Sequence, residues 1–408
     1  MSHKIAIIGG GAAGLMAAIT AARLGIDVTI YEHNQSVGKK ILASGNGRCN
    51  IINTTATAND YFGTAPDFVS HSLEQLPFAS FIAFCHTVGL LLDIKEDGRC
   101  YPLSNEAKSV LNALGSAAKI AGVKILTEKK VTAITKVKNH FLVHTDTEKK
   151  SYDKILIATG SEAAPQLGAS GDGYQFASSF GHTIIPTYPS LVQLHLNSKI
   201  HHKMAGVKTF AEVTLQINGK ESEKVQGDIL FASYGISGLA ILDISQKASF
   251  ALLNRQKVML NINLLPRFDA QQLGSIVHEL ITAVPNHTLE TVLGGLVPAK
   301  TVPYLCEAAV ISPAKTVSML TPKEITKLIG IIGTWQFEVN DTHGFKHAEV
   351  SGGGVATAEI NHKTMESKLI DGLYFAGEVL DIVGRRGGYN FNFAWASGMI
   401  AGRQMAKK

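Results

Sequence analysis

Cysteine is scarce: the 408 residues hold 4, at Cys49, Cys85, Cys100 and Cys306, and no two form a C-x-x-C pair. That argues against zinc, iron–sulfur and disulfide frameworks, so no metal is expected, and it suits a reducing cytoplasm. Charge is also thin. Asp, Glu, Lys and Arg make up 17% of the chain, the net charge is +5, and no lysine or arginine run resembles a nucleic-acid arm. No nucleic-acid partner is therefore expected. Long apolar runs are missing too. The N-terminal apolar stretch is too short to span a bilayer and lacks the charged-then-apolar layout of a signal peptide, so neither membrane nor secretion is expected. There is no internal repeat and no low-complexity tract. What is abundant is hydrophobic residues, 45% of the chain. That composition describes a well-buried globular enzyme, and the length calls for two domains or more.

The most informative stretch is Lys4 to Glu32, KIAIIGGGAAGLMAAITAARLGIDVTIYE. An apolar strand (Ile5 to Ile8) runs into Gly9, Gly11 and Gly14, then a helix, then a second strand (Val28 to Tyr31) ending at Glu32. This is the spacing of a dinucleotide-binding βαβ unit. Gly9 permits the tight turn, Gly11 lets backbone approach a pyrophosphate, and Gly14 lets helix and strand pack closely. The helix N-terminus offers N–H groups and a positive dipole end to phosphate. Glu32 can accept hydrogen bonds from a ribose 2′-hydroxyl and disfavours a 2′-phosphate there, so FAD or NAD fits better than NADP at this site.

Further segments point the same way. A buried strand, Lys154 to Ala158, ends at Thr159-Gly160 and can deliver N–H groups near a dinucleotide. The segment DGLYFAGEVLDIVGRRGGYNFNFAWASGMIAG holds a strand from Leu373 to Ala376, then Gly377-Glu378, then a long small-residue helix opened by Gly387-Gly388. Glu378 can bind ribityl hydroxyls, and the helix amides would face the flavin pyrimidine end, where reduction places negative charge. Core packing is the bland alternative for that helix, given Ala394, Ala396 and Gly398. The loop SGNGRCN, Ser44 to Asn50, offers amides and Arg48 to a pyrophosphate or flavin edge; otherwise it is a Gly-Asn turn. Lys39 and Lys40 can neutralise phosphate. Gly171-Asp172-Gly173 open another helix, either as a plain N-cap or as a cofactor contact.

The remainder reads as follows. A helical stretch is expected from Leu73 to Leu90 and a short strand at Lys124 to Leu126. A β-meander follows, with alternation at Val131 and Ala133 and a turn at Lys138-Asn139-His140. Character changes near Ser190. Short strands and turns run to about residue 265, and helical periods fill about 266–334, including a capping box at Thr321, Pro322 and Glu324. The expected organisation is an α/β chain with a split FAD-binding domain, 1–190 and 342–408, and an inserted β-rich plus helical substrate or cap domain, 191–341.

Taken together, the Gly9 to Gly14 motif, GKKILASGNGRCN, GASGDGY, TMESKLIDGLYFAGEVLDIVG and GGYNFNFAWASG resemble the bacterial NAD(P)/FAD-dependent oxidoreductases. That group includes aminoacetone-oxidase-like and bile-acid-reductase-like flavoproteins. The resemblance runs through the whole chain, and the GDG and GGV segments are also similar to the wider glutathione-reductase and fumarate-reductase superfamily. It implies a split glutathione-reductase-like Rossmann domain with FAD held by the N-terminal βαβ unit and the C-terminal helix. Carried onto this chain, the implied FAD contacts are Gly9, Gly11, Ala13, Gly14, Glu32, Lys40, Ser44, Asn46, Arg48, Cys49 and Asn50. Val131 would bring backbone to the adenine, and Thr159 and Gly160 would lie close by. Gly377, Glu378, Gly388 and Asn390 would close the flavin end. The chain departs from the group at Ala232 and Ser233 and at Arg385 and Arg386, so the substrate stays open.

The expected function is an FAD-dependent oxidoreductase acting on a small organic substrate. No second G-x-G-x-x-G marks a separate NAD(P)H domain, so NAD(P)H would visit in alternation with substrate, or dioxygen would reoxidise the flavin. Cys49 lacks the second cysteine of a disulfide reductase. Acid–base candidates are Tyr389, His347 and Arg386, each with packing or surface as the competing role. A tRNA-modifying flavoprotein and a non-catalytic FAD sensor are the alternatives from other classes. Oligomeric state is open.

Overall fold

Alternating strand and helix signals at the start of the chain fold into a parallel sheet. The computed structural model describes residues 3–198 and 200–407. Five strands lie in the order Leu373–Phe375, Lys154–Ile157, Lys4–Ile8, Asp27–Tyr31 and Lys124–Leu126, all parallel. The four strands from Leu373–Phe375 to Asp27–Tyr31 are mostly apolar and buried, as a parallel sheet covered on both faces requires, and the edge strand Lys124–Leu126 is only partly covered. Helix Ala12–Arg23 returns the chain from the first strand to its neighbour. A three-stranded meander, Val131–Val137, His140–Thr145 and Lys149–Tyr152, is a separate small sheet.

The C-terminal helix, Tyr389–Met405, packs on helix Ala12–Arg23. A Cβ at Gly398 would strike the Ala13 backbone, and one at Gly402 the Ala17 carbonyl. Two glycines four residues apart thus let the helices approach at backbone distance. The packing reading of this small-residue face is therefore realised, and the N-terminal end of the same helix is free for another task.

Contacts divide the chain into one unit of residues 1–188 with 350–408 and a second of residues 189–349. In the second, six strands close a barrel in the order Leu194–Leu196, Gly235–Ser237, Lys220–Ala232, Lys208–Ile217, Val258–Asn263 and Trp335–Thr342. Alternation fills it: Ala211, Val213 and Leu215, then Val258, Leu260 and Ile262, then Trp335, Phe337 and Val339, all buried. Helices Ala270–Ala283, Leu289–Gly294, Val302–Ala309 and Pro322–Gly333 follow the fifth barrel strand. The Thr321 capping box forms as expected.

Three expectations need correction. The single helix at Leu73 to Leu90 is two, Phe68–Gln75 and Phe78–Thr87, because Pro77 cannot continue a helix and serves as N-cap of the second. The stretch read as strands and turns contains a 15-residue helix, Leu239–Leu253. Its buried face, Ile241, Ile244, Ala248 and Ala251, repeats at helical spacing. Finally, the second unit runs on to Glu349, where the sequence suggested residue 341. Thr342 pairs with Leu194, His343 N–H donates to Gln193 O, and Glu349 N–H donates to Leu191 O, so barrel closure holds the chain past that point. No helix among the described residues is long and apolar enough to cross a membrane.

Candidate dinucleotide site

At the end of the first strand the chain turns at Gly9, with φ of +104°. A Cβ there would press into the Ala158 carbonyl and the Thr159 backbone, so the turn and the close strand end both need glycine. At Gly14 a Cβ would run into the Gly9 carbonyl. Gly11 differs. It is the N-cap of helix Ala12–Arg23, and a Cβ there would meet nothing within 4 Å. The helix start has no side-chain cap and no acid in its first turn. Its N–H groups therefore face open space with their dipole uncompensated, which suits an anion. Gly160, next to Thr159 in sequence and with φ of +77°, would likewise have nothing within 4 Å of an added Cβ.

Glu32 directly follows the second strand and is buried. One carboxylate oxygen accepts from Gly10 N–H at 3.0 Å; the other accepts from Asn34 N–H and Asn34 Nδ2, each at 2.8 Å. Lys39 Nζ in turn donates to Asn34 Oδ1 at 2.7 Å. Three donors occupy a group with about four acceptor positions. Glu32 thus fixes the glycine loop and keeps capacity for one more hydroxyl. Val131 begins the meander, and nearby Lys129 N–H donates to Glu32 O.

Lys40 and Glu378 are joined directly, Nζ to Oε2 at 2.7 Å. Glu378 Oε1 accepts from Ser161 Oγ at 2.8 Å and from Ser351 N–H at 3.0 Å. Ser161 and Ser351 are hydrogen-bonding neighbours of Glu378 that the sequence did not mark, since they lie 217 and 27 positions from it and carry no motif. Gly377 N–H donates to Ser397 Oγ, and a Cβ at Gly377 would crowd Ala13, so the two glycine-rich halves meet there.

The Ser44 to Asn50 loop is held by its own backbone. Gly45, Asn46, Gly47 and Cys49 all have positive φ, Cys49 N–H donates to Ser44 O, and Arg48 lies over the Tyr101 ring at 5.5 Å. Cys49 is fully buried, and burial pushes its thiol up to about 11, which makes it a poor nucleophile. Asn50 Oδ1 is buried with no partner. An orphaned acceptor at the mouth of a glycine-rich loop is what a donor-bearing ligand would satisfy. All four cysteines are free and buried.

Gly388 is the N-cap of the C-terminal helix, with no side-chain cap, and a Cβ on it would collide with Ile52. Asn390 uses its amide on the preceding loop: Oδ1 accepts from Gly384 N–H, and Nδ2 donates to Gly384 O and Arg385 O. It shapes the loop that leads into the helix. Tyr389 O accepts from Tyr61 Oη, and the rings meet edge-on. Arg385 pairs with Asp60 at 3.5 Å over Phe62, and Arg386 follows it, half-buried. Asp381 is buried and accepts from Thr64 N–H and Oγ1; burial raises its pKa above the usual carboxylate range. His347 lies in the second unit, its ring 4.0 Å from that of His343 and tilted to it by 34°. It is not among the groups gathered here.

The Gly11 opening, the Gly160 opening, the orphaned Asn50 oxygen and two uncapped helix starts fit an extended dinucleotide such as FAD. Fold and cradle together define the class, an FAD-dependent oxidoreductase. The model of the HI0933-like protein Rossmann domain matches residues 3–404, and the chain belongs to that family. It is 36% identical over 408 residues, the full length of both chains, to a 3-dehydro-bile acid delta(4,6)-reductase of Clostridium scindens. It is 33% identical over 397 residues, 96% of this chain and 95% of the other, to a ribosomal RNA dihydrouridine synthase of Haemophilus influenzae. Among solved structures, a 3-ketosteroid delta1-dehydrogenase from Sterolibacterium denitrificans shares the fold, with a TM-score of 0.52, 13% identity and 99% of each chain covered.

Proposed function

We propose that the chain is a reductase that adds two hydrogens across a ring carbon–carbon double bond conjugated to a carbonyl, with NAD(P)H as the reductant. The end-to-end likeness to a protein named as a delta(4,6)-reductase carries this reading. The name of the Haemophilus relative describes the same change made on uridine, so one chemistry covers both. Bound FAD would supply the hydride. In this reading Gly9, Gly11, Ala13 and Gly14 receive the pyrophosphate, Glu32 the ribose, and Val131 the adenine. Ser44, Asn46, Arg48, Cys49 and Asn50 line the flavin edge with Thr159 and Gly160. Lys40, Gly377, Glu378, Gly388 and Asn390 complete the ribityl and pyrimidine end.

The substrate is read as a small molecule and not an RNA. Residues 189–349 carry 14 Lys and Arg against 13 Asp and Glu, a net of +1, which is too little positive charge to draw a polyanion. The test is anaerobic. The purified yellow protein is bleached with NADH or NADPH, then offered a 3-oxo-4-ene steroid or a uridine-containing ribosomal RNA. Return of the yellow colour with a product two mass units heavier supports the reading, and the reactive compound decides between small molecule and RNA. Failure of both nicotinamides to bleach, or of every conjugated substrate to restore colour, overturns it.

A further inference from the structure

A buried arrangement beside the strand Leu373–Phe375 takes no part in the dinucleotide site. His182 follows helix Asp172–Ser179 and is 4% exposed. Its Nε2 lies 2.8 Å from Ser367 Oγ, and its Nδ1 lies 3.2 Å from Glu359 Oε2. Its ring meets Phe375 edge-on, with centroids 4.9 Å apart.

The order of groups is that of a serine–histidine–carboxylate triad, but this serine is no nucleophile. Ser367 is 6% exposed, and its Oγ already accepts from Leu369 N–H at 3.0 Å and Ile370 N–H at 2.9 Å. Both lone pairs are taken, so the hydroxyl hydrogen is left to donate to His182 Nε2. That fixes the tautomer: Nε2 accepts, and Nδ1 carries the proton and donates to Glu359. Glu359 is held in turn by Thr183, whose N–H donates to Oε2 at 2.8 Å and whose Oγ1 donates to Oε1 at 2.7 Å.

The neutral network is complete, and a further proton has no place in it. On the imidazolium, Nε2–H would point at an oxygen with no free lone pair, and the Ser367 hydroxyl would lose its acceptor. Glu359 is the charged group facing the ring, and it favours the imidazolium. Burial opposes this more strongly and holds His182 below its ordinary 6.5. The other neighbours are committed elsewhere or uncharged. Ala177 O accepts from His182 N–H, Phe375 brings an apolar ring, and Glu366 and Lys368, which flank Ser367, are bonded to Gly372 N–H and Ala358 O. What Ser367 holds is the turn before the strand: its N–H donates to Leu373 O, and Leu373 N–H donates to Ile370 O. The chain then runs through Phe375 to Gly377 and Glu378.

We propose that His182, Ser367 and Glu359 form a proton-operated latch, which clamps the 367–373 turn while the imidazole is neutral and opens in acid, so that the segment carrying Gly377 and Glu378 loosens and FAD leaves faster. The three are positioning residues that act through that segment. The effect on FAD rests on the dinucleotide reading above; the latch itself does not.

Hydrogen exchange on the full-length protein without FAD reads the latch. Exchange of the Ser367, Leu369, Ile370 and Leu373 amides, corrected for intrinsic rate, gives the opening equilibrium. A histidine that takes up its proton only in the open state, at its ordinary 6.5, favours opening by at most about 30-fold between about pH 8 and about pH 5. The parent should show a rise of about fivefold or more within that bound. His182→Gln keeps an acceptor and a donor but cannot charge, so its opening should change less than about twofold, whatever its absolute stability. Nitrogen NMR of the parent should find the His182 proton on Nδ1. Release of FAD from the loaded parent, followed by recovery of flavin fluorescence, should quicken over the same pH range, and from His182→Gln it should not. The Nε2–H tautomer, an opening in the parent that is flat with pH, or a variant as pH-dependent as the parent overturns the latch. Equal acid release of FAD from parent and variant overturns its hold on the cofactor. Failure of the parent to bind FAD refutes the dinucleotide reading, and the exchange data still decide the latch.

Discussion

Gly11→Ala should separate cofactor binding from folding. The added methyl meets nothing of the protein within 4 Å, and Gly11 has φ of −80°, which alanine adopts without strain. Alanine is a somewhat poorer N-cap than glycine, so apo stability should drop by at most about 1 kcal/mol, a fall in Tm of about 4 °C or less. The methyl does, however, project into the space before the helix N-terminus that the proposed pyrophosphate needs. Forcing one methyl into a filled site costs about 1–3 kcal/mol, so the FAD Kd should rise between about fivefold and 150-fold. Gly14→Ala is the contrasting variant. Its methyl strikes the Gly9 carbonyl, so the apo Tm itself should fall by more than that of Gly11→Ala. Circular dichroism gives the apo Tm, and quenching of flavin fluorescence gives Kd. Parent-like FAD affinity in Gly11→Ala would refute the placement of the cofactor at this helix.

Three further outcomes are expected. Glu32→Ala should weaken FAD binding about tenfold to a hundredfold through loss of a charged acceptor, and Glu32→Gln, which keeps one acceptor oxygen for the Gly10 and Asn34 donors, should be intermediate; an unchanged Kd means Glu32 does not serve the cofactor. Changing both Arg385 and Arg386 to Ala should raise the KM for NAD(P)H or an anionic substrate with FAD content intact, and equal kinetics would rule that role out. Burial pushes His182, His201, His343 and His362 below their ordinary 6.5. Each takes up its proton at lower pH folded than unfolded, so stability is unaffected by it above 6.5 and falls as pH drops below that, until the folded group is protonated too. Tm should therefore decline as pH is lowered from about 7 to about 5; a flat profile would contradict it.

Local signals carried much of the fold. Gly9, Gly11 and Gly14 mark a turn, a helix start and a close packing because each constraint acts within a few residues. The same holds for the Thr321 cap and for the meander with its turn at Lys138 and Asn139. Long-range pairings were not legible. The barrel holds residues 342–349 through bonds to Leu191, Gln193 and Leu194, about 150 positions away, and nothing between Asp341 and Glu349 announces it. Lys40 and Glu378 each read as a cofactor contact, but their ion pair joins residues 338 positions apart. Pro77 was a local signal that a continuous helix from Leu73 to Leu90 overlooked.

The contact of Gly398 and Gly402 with Ala13 and Ala17 has a consequence for synthesis. The two helices begin 377 positions apart, at Ala12 and Tyr389. At roughly 5–20 residues per second, the first helix waits about 20–75 s for the partner that covers its small-residue face. The barrel has all its strands between Leu194 and Thr342, so it can close on the ribosome during that wait. The split unit is joined only once helix Tyr389–Met405 has been made, so its cradle is assembled after the barrel strands and not before them.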